Sequence, residues 1–480
     1  MTQPASDAMA LFAAYRRMSE DGSTDAVAWF SLADRLARVK RWAEAIDAFR
    51  RTLALEPTNT AARLKLGSVY AAVNQIADAK TAFESAANAD PASPLPHLQL
   101  SMLALKGGDD ETALTHVDEA LARDRNAVKI WQQRAHVLEK LERPAEAASA
   151  IKEARARDPG NDQYPFMLAP LQFRAGDLTH AWQTYGLLQR PWWNGGDRPL
   201  PSPHWQGENL SGKTIVLGYD QGVGEQIMFA SMVPDLISQG ARVVLEVEAR
   251  LVPLLQRSFP EVRVVPWQNP FHPAVTAPGV DFHCALGYAG RWLRPSFESF
   301  SHRKGYLKPD PDRVAHLRRR YLERAKGRRI AGLTWFSAAP IMGEEKSIPL
   351  PALESLLARD NIMWVNLQYG QARPTIDQSR VFTEDDVDPS GNLDDAAAQA
   401  AATDMIVTVS TVTAHIGGGL GKPAFVLLPK TKGRHWYWFP ERDPNPWYPS
   451  VHSFVQVRQD HWSDVITAVD QALSKPLPKN

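Results

Sequence analysis

A period of 34 residues, marked by proline, constrains the first third of this 480-residue chain more than any other feature. Pro57 and Pro91 are 34 residues apart, Arg125 lies 34 further on, and Pro159 another 34. Between these marks the same kinds of side chain return in register. Trp29, Leu32, Ala33 and Leu36 precede Ala45 and Phe49, as Leu66, Gly67 and Tyr70 precede Ala79, Phe83 and Ala86. Leu100, Ser101, Ala104, Ala113, Val117 and Ala120 make a third copy. Trp131, Ala135, Leu138, Ala147, Ile151 and Ala154 make a fourth, and a degenerate fifth runs from Asp162 through Leu168, Ala169, Ala181 and Tyr185. Small residues let two antiparallel helices cross closely, large ones fill the gaps, and proline stops the second helix. One hairpin of this kind cannot bury its apolar face alone, so the copies must stack.

The spacing and the order W-x2-L-G-x2-Y, A-x3-F, P are those of tetratricopeptide (TPR) repeats. Residues 1–190 are therefore expected to form a TPR solenoid of four to five repeats, whose concave face takes an extended peptide or a partner protein. Scaffolding or dimerisation is the other use of such a surface. Repeat solenoids are seldom catalytic, so any chemistry is expected downstream.

Charge narrows the field of partners. Lys+Arg and Asp+Glu both number 54, which gives no net field for nucleic acid or an anionic membrane. A single cysteine, Cys284, excludes an intramolecular disulfide and fits a reducing compartment. The first 22 residues lack a basic segment followed by a long apolar run, and no stretch approaches the roughly 18 apolar residues of a membrane span. The expectation is a cytoplasmic protein.

Composition changes near residue 190. Residues 191–212 are dense in Pro, Gly and Trp and read as a linker that ends the helical array. From Lys213 strands and helices alternate: strands at 214–219, 242–247, 262–266 and 281–286, helices at 225–239, 249–258 and 312–326. A second cycle has strands at 330–335 and 362–368 and helices at 349–359 and 392–402. It ends with strand 405–409, a helix start, strand 424–428 and a closing helix at 464–473. Two doubly wound α/β domains, 213–328 and 329–480, fit this alternation, with a ligand cleft at the strand C-termini.

Two stretches carry chemistry. Residues 221–226, QGVGEQ, follow the first strand and open a helix, and Gly222 and Gly224 let a substrate approach the backbone. Ile227 stands where a dinucleotide fingerprint needs its third glycine, so NAD binding is disfavoured. In 405–429 a buried strand runs into Ser410, Thr411, Thr413 and His415, then Gly417, Gly418, Gly419 and Gly421. A helix N-terminus there, with unpaired N–H groups and the positive end of the dipole, is a seat for a phosphate. The D-x-D matches at Asp310–Asp312 and Asp386–Asp388 are short and read as solvated loops, and the thirteen histidines show no zinc-ligand spacing.

A TPR array followed by two α/β domains resembles GT-B-fold glycosyltransferases of the O-GlcNAc transferase type. QGVGEQIMFASMVPDL is similar to the Q-G-x-G-D-x-I-x-F segment of bacterial TPR-linked glycosyltransferases, some of which modify flagellin with pseudaminic-type sugars. Trp335–Lys346 resembles the W-x(n)-K of bacterial heptosyltransferases, and Thr411 to Pro423 their D-T-x3-H-x5-G-x-P, with Ser410 in place of the aspartate. The aromatic segment RHWYWFPERDPNPWYPSVHSF looks like the closing segment of the TPR-linked group.

The resemblance implies a GT-B pair, acceptor side first and nucleotide-sugar donor side second. Glu225 stands at the place of the aspartate that acts as catalytic base, one methylene longer. Lys346 matches the lysine that neutralises donor phosphates. Ser410, Thr411, Thr413 and His415 would hold or orient the phosphate, with Gly222 and Gly224 lining the cleft. The implied reaction is a metal-independent displacement at the anomeric carbon, on a protein Ser or Thr recruited by the concave face of the array. Flagellin is the suspected acceptor, a CMP- or UDP-linked sugar the co-substrate, and no further cofactor is implied. Two other readings stand beside it: a non-catalytic TPR adaptor with a degenerate transferase domain, and a heptosyltransferase-like enzyme acting on a lipid or glycan.

Overall fold

A computed structural model of the chain describes residues 3–193, 200–300, 305–370, 376–430 and 433–476. Of the expected linker, 194–199 lie outside the described residues. The chain divides into two compact units, Met1–Tyr164 and Pro165–Asn480.

The first unit is a run of antiparallel helical hairpins. Its helices are α1 (Gln3–Glu20), α2 (Ala26–Arg38), α3 (Trp42–Leu55), α4 (Thr60–Ala72), α5 (Ile76–Ala89), α6 (Leu95–Lys106), α7 (Asp110–Arg123), α8 (Val128–Lys140) and α9 (Pro144–Arg157). Asp25, Asn59 and Asp109 cap α2, α4 and α7 by accepting from backbone N–H groups of the first turn. Trp29, Leu36, Phe49 and Phe83 are buried between helices. The period is written into the hydrogen bonds as well. Trp29 and Trp131 each donate from the indole N–H to a loop carbonyl six residues back, Ser23 O and Arg125 O, both at 2.9 Å. Arg123 Nε donates to Pro91 O at 2.9 Å and Arg157 Nε to Arg125 O at 2.7 Å, the same contact one repeat later. Arg125 can replace proline at its mark because its carbonyl, not its side chain, is what neighbouring repeats use.

The helical pair α10 (Tyr164–Arg174) and α11 (Leu178–Trp193) groups with the second unit, whose core Phe173, Trp182 and Tyr185 join. There follows a four-stranded parallel sheet of β1 (Thr214–Gly218), β2 (Arg242–Val247), β3 (Arg263–Pro266) and β4 (Phe282–Ala285), in the order β3-β2-β1-β4. Its helices are α12 (Val223–Ala230), α13 (Val233–Ser238), α14 (Val252–Ser258) and the short α15 (Gly290–Leu293). The helix expected over 225–239 is broken into α12 and α13, because Pro234 has no N–H to continue the ladder and instead opens the second piece.

After α16 (Pro311–Ala325) comes a six-stranded parallel sheet. Its elements are β5 (Arg329–Thr334), α17 (Gly343–Lys346), α18 (Glu354–Leu357), β6 (Ile362–Asn366), β7 (Val381–Phe382) and α19 (Leu393–Ala401). They continue with β8 (Met405–Val409), α20 (Val412–Gly419), β9 (Ala424–Leu428), β10 (Val451–Val455) and α21 (Ser463–Leu473). The order β10-β9-β8-β5-β6-β7 is that of a complete doubly wound sheet, and β6, β8 and β9 are buried along their whole length. Strands β7 and β10 escape the sequence reading: the first has two residues, and the second is an edge with half-buried side chains. Among the described residues no helix is long and apolar enough to cross a membrane.

Candidate functional site at the paired switch points

An open parallel sheet leaves a crevice beyond the strand C-termini where the strand order reverses. In the first sheet that point lies between β1 and β4, and in the second between β5 and β8. The connection leaving β1 carries Gly222 and, in the first turn of α12, Gly224 and Glu225; the connection leaving β5 carries Lys346 at the end of α17; and the loop leaving β8 carries Ser410 and Thr411 and runs into Thr413 and His415 of α20. The site residues singled out in the sequence therefore all lie on connections that leave the switch-point strands.

The two crevices meet through α12 and α20. A Cβ on Gly224 would lie 2.6 Å from His415 Cδ2, so only glycine lets α12 come this close to α20. Gly222, the N-cap of α12, leaves room for Glu225 to fold back, since a Cβ there would sit 2.7 Å from Glu225 Oε2. Gln221, just before it, is held at φ 41°, and its side chain donates to Tyr185 Oη at 2.6 Å. Asp220 ties the switch point itself by accepting from Gly287 N, beyond β4, at 2.8 Å. Between the two sheets the chain is fastened to both helices: Tyr306 N donates to Gly419 O at 2.8 Å and Tyr306 Oη to Ile227 O at 2.5 Å.

Residues 435–438 complete the site. Tyr437 Oη donates to Glu225 Oε1 at 3.2 Å. Lys346 Nζ donates to His435 Nε2 at 3.3 Å, and the His435 and Tyr437 rings stack at 5.1 Å with planes 3° apart. His415 lies 5.1 Å from the Tyr437 ring, and its Nδ1 is 3.0 Å from Tyr448 Oη. Glu225, Lys346 and His415, distant in sequence, are thus joined through one aromatic turn. The loop bearing Lys346 is fixed at its root by Gln368, whose Oε1 accepts from Trp335 N and Phe336 N at 3.1 and 3.0 Å. Ser347 Oγ accepts from Ser337 N at 3.0 Å across its neck.

Burial decides the electrostatics. It lowers the Lys346 ammonium from the usual lysine value, which the carboxylates of Glu225 and Glu345 oppose. His415 is 2 % exposed, and burial, then His435 and Lys346, push it down to about 3. Burial and then Lys346 bring His435 to about 4. Both imidazoles are neutral at pH 7. At that pH His415 is not an imidazolium but a neutral ring with one N–H, and it packs against Tyr448 and α12. Burial and the adjacent Glu225 carboxylate drive the Tyr437 phenol well above its ordinary value, so it remains a hydrogen-bond donor. A buried ammonium beside two neutral imidazoles is a place where an anion gains most.

The hydroxyls at the start of α20 are turned inward. Ser410 Oγ accepts from Trp438 Nε1 at 2.8 Å, and Thr411 Oγ1 lies 3.3 Å from Thr408 Oγ1. Thr411 is the N-cap of α20 but makes no side-chain capping bond. What this end offers a ligand is the backbone and its dipole rather than the side chains expected from the sequence. Thr413 faces a separate recess with Leu367, Tyr369, Pro389 and Gln399, beyond the end of β6 and against the side of α19.

Other sequence candidates have structural work. Asp310 caps α16, and Asp386 pairs with Arg313 at 3.1 Å. Trp438, Trp447 and Tyr448 are buried, while Trp436 stacks on Phe173 at 3.8 Å. His435 and Tyr437 were not singled out in the sequence. Their signal is alternation within one turn, HWYW: positions 436 and 438 go to packing, while 435 and 437 share the other face.

Known proteins match this chain as follows. The tetratricopeptide repeat family model matches residues 36–95. Protein FlbA of Caulobacter vibrioides is 28% identical over 429 residues, 84% of this chain and 70% of that protein. Among solved structures, MamA protein is 17% identical with a TM-score of 0.33, covering 38% of this chain and 100% of that one. YrrB, described as a TPR protein with an unusual peptide-binding site, is 20% identical with a TM-score of 0.31, over 37% of this chain and 91% of that one. The likeness to Protein FlbA extends well past the repeats into the parallel sheets, so this chain is a TPR array joined to an α/β region, and similar to that protein in both.

Proposed function

We propose that this protein is a glycosyltransferase of GT-B type that moves a sugar from a nucleotide-sugar to Ser or Thr hydroxyls of a protein recruited by the TPR array. The observation that carries this reading is the meeting of two switch points, which sets a half-buried carboxylate, Glu225, near a buried ammonium, Lys346. Transfer at an anomeric carbon asks for those two charges: a base for the attacking hydroxyl and a counter-charge for the departing phosphate. Glu225, oriented by Tyr437, takes the proton of the acceptor hydroxyl as its oxygen bonds to the anomeric carbon. The bond to the nucleotide breaks on the opposite side, and Lys346 with the N-terminal amides of α20 receives the negative charge. Neutral His415 and His435 shape this end without competing for the phosphate. The resemblance to flagellin-modifying enzymes makes flagellin the acceptor to try first, with CMP- and UDP-linked sugars as donors.

The test is co-expression with candidate acceptors followed by intact-mass analysis. A mass gain of one sugar is expected with the natural chain and is lost with Glu225→Ala or Lys346→Ala. A gain that survives both substitutions unchanged contradicts the assigned roles.

A further inference from the structure

Within the first unit, the third repeat brings together three metal-ligand side chains that no single stretch of sequence displays. His97 lies in the first turn of α6, while His116 and Glu119 lie three residues apart on α7, so antiparallel packing of one hairpin joins them. The ligand atoms all fall within 4.8 Å of one another. Glu119 Oε2 is 2.5 Å from His97 Nδ1 and 4.0 Å from His116 Nδ1, and the two rings are 6.0 Å apart. Neither Nδ1 has a hydrogen-bond partner, although both are buried atoms, and His97 is 8% exposed. The close approach to Glu119 is thus not in hydrogen-bonding geometry, and two buried nitrogens beside one carboxylate are left without a hydrogen bond.

We infer that His97, His116 and Glu119 form a binding site for a divalent transition-metal ion of the zinc class. Two imidazole nitrogens and one carboxylate are a donor set that zinc accepts, leaving a fourth position for water or a partner's side chain. Tetrahedral bonds of about 2.1 Å put ligand atoms about 3.4 Å apart. That lies between the 2.5 and 4.0 Å found here, and a small turn of the Glu119 carboxylate evens them out. The site is reachable, since the Glu119 side chain is 44% exposed and that of His116 21%. An ion here clamps α6 to α7 within the array and is independent of the transferase reading. The histidine spacing in the sequence hides the site because its ligands lie on two helices that run in opposite directions.

The experiment uses the full untagged chain, stripped with chelator and dialysed, then titrated with Zn2+ against a chromogenic zinc indicator. One equivalent held at micromolar affinity or tighter is expected, with His116→Ala and Glu119→Gln each weakening it at least tenfold while the helical circular dichroism is unchanged. Co2+ in place of Zn2+ gives a second reading, through visible absorption bands that the same two variants lose. The inference is overturned if no ion is retained, or if both variants retain it as tightly as the natural chain.

Discussion

Tyr437 and Glu225 show how far a single residue pair can be read. Their hydrogen bond joins a buried phenol to a charged group, a class worth about 1.5–3 kcal/mol. Tyr437→Phe is expected to cut sugar transfer about tenfold while leaving nucleotide affinity unchanged, measured by initial rates and by calorimetric titration. Gly224→Val places carbon atoms on the His415 ring and is expected to cost about 1–3 kcal/mol in urea unfolding. His415 and His283 give a pH signature, since burial holds them at about 3 and about 4 in the folded protein, against an ordinary value near 6.5. Below pH 6.5 the unfolded chain takes up protons that the folded one refuses. The stability associated with these neutral imidazoles is therefore complete above that pH and lost as pH falls toward 4. Each histidine contributes a slope of up to about 1.4 kcal/mol per pH unit, read from urea midpoints between pH 7 and 4.5. At this scale the sequence shows glycines and a carboxylate after a strand, because loop chemistry is local. It does not show that Ser410 is engaged by Trp438, or that His435 meets Lys346, because those contacts span 28 and 89 residues.

Elements were legible in proportion to the length of their pattern. The repeat helices were plain because each is 11 or more residues long and the period recurs. Gly67 marks a close crossing in the array: a Cβ there would lie 2.5 Å from the Phe83 ring, between α4 and α5. Gly67→Val is expected to destabilise the first unit by about 1–3 kcal/mol, measured by thermal unfolding of residues 1–164. The short strands were legible where both faces are buried, as in β8 and β9. The two-residue β7 and the edge strand β10 were not, since neither has a run long enough for a pattern. Pro234 carries the signal for the split of 225–239 into α12 and α13, which the expectation of one continuous helix passes over. What positions Glu225 is its place in the first turn of α12, beside Gly222 and under the Tyr437 hydroxyl.

At the scale of the whole molecule, the proposed function assigns recruitment to one compact unit and chemistry to the other. The array and the paired sheets have separate cores, so a chain of residues 165–480 is expected to fold, to keep nucleotide binding and to lose protein modification. Loss of both would give the array a bracing role instead. The two-sheet plan was readable from strand–helix alternation, but the strand order, and hence the facing of one switch point by the other, is a property of the fold alone. The central claim is that Lys346 and the start of α20 form a nucleotide phosphate site, and calorimetric titration of the full chain with UDP, CMP and GDP tests it most directly. Saturable binding of one of these nucleotides, weakened about tenfold or more in Lys346→Ala, is the predicted result. No binding by any of the three, or binding indifferent to Lys346, contradicts it.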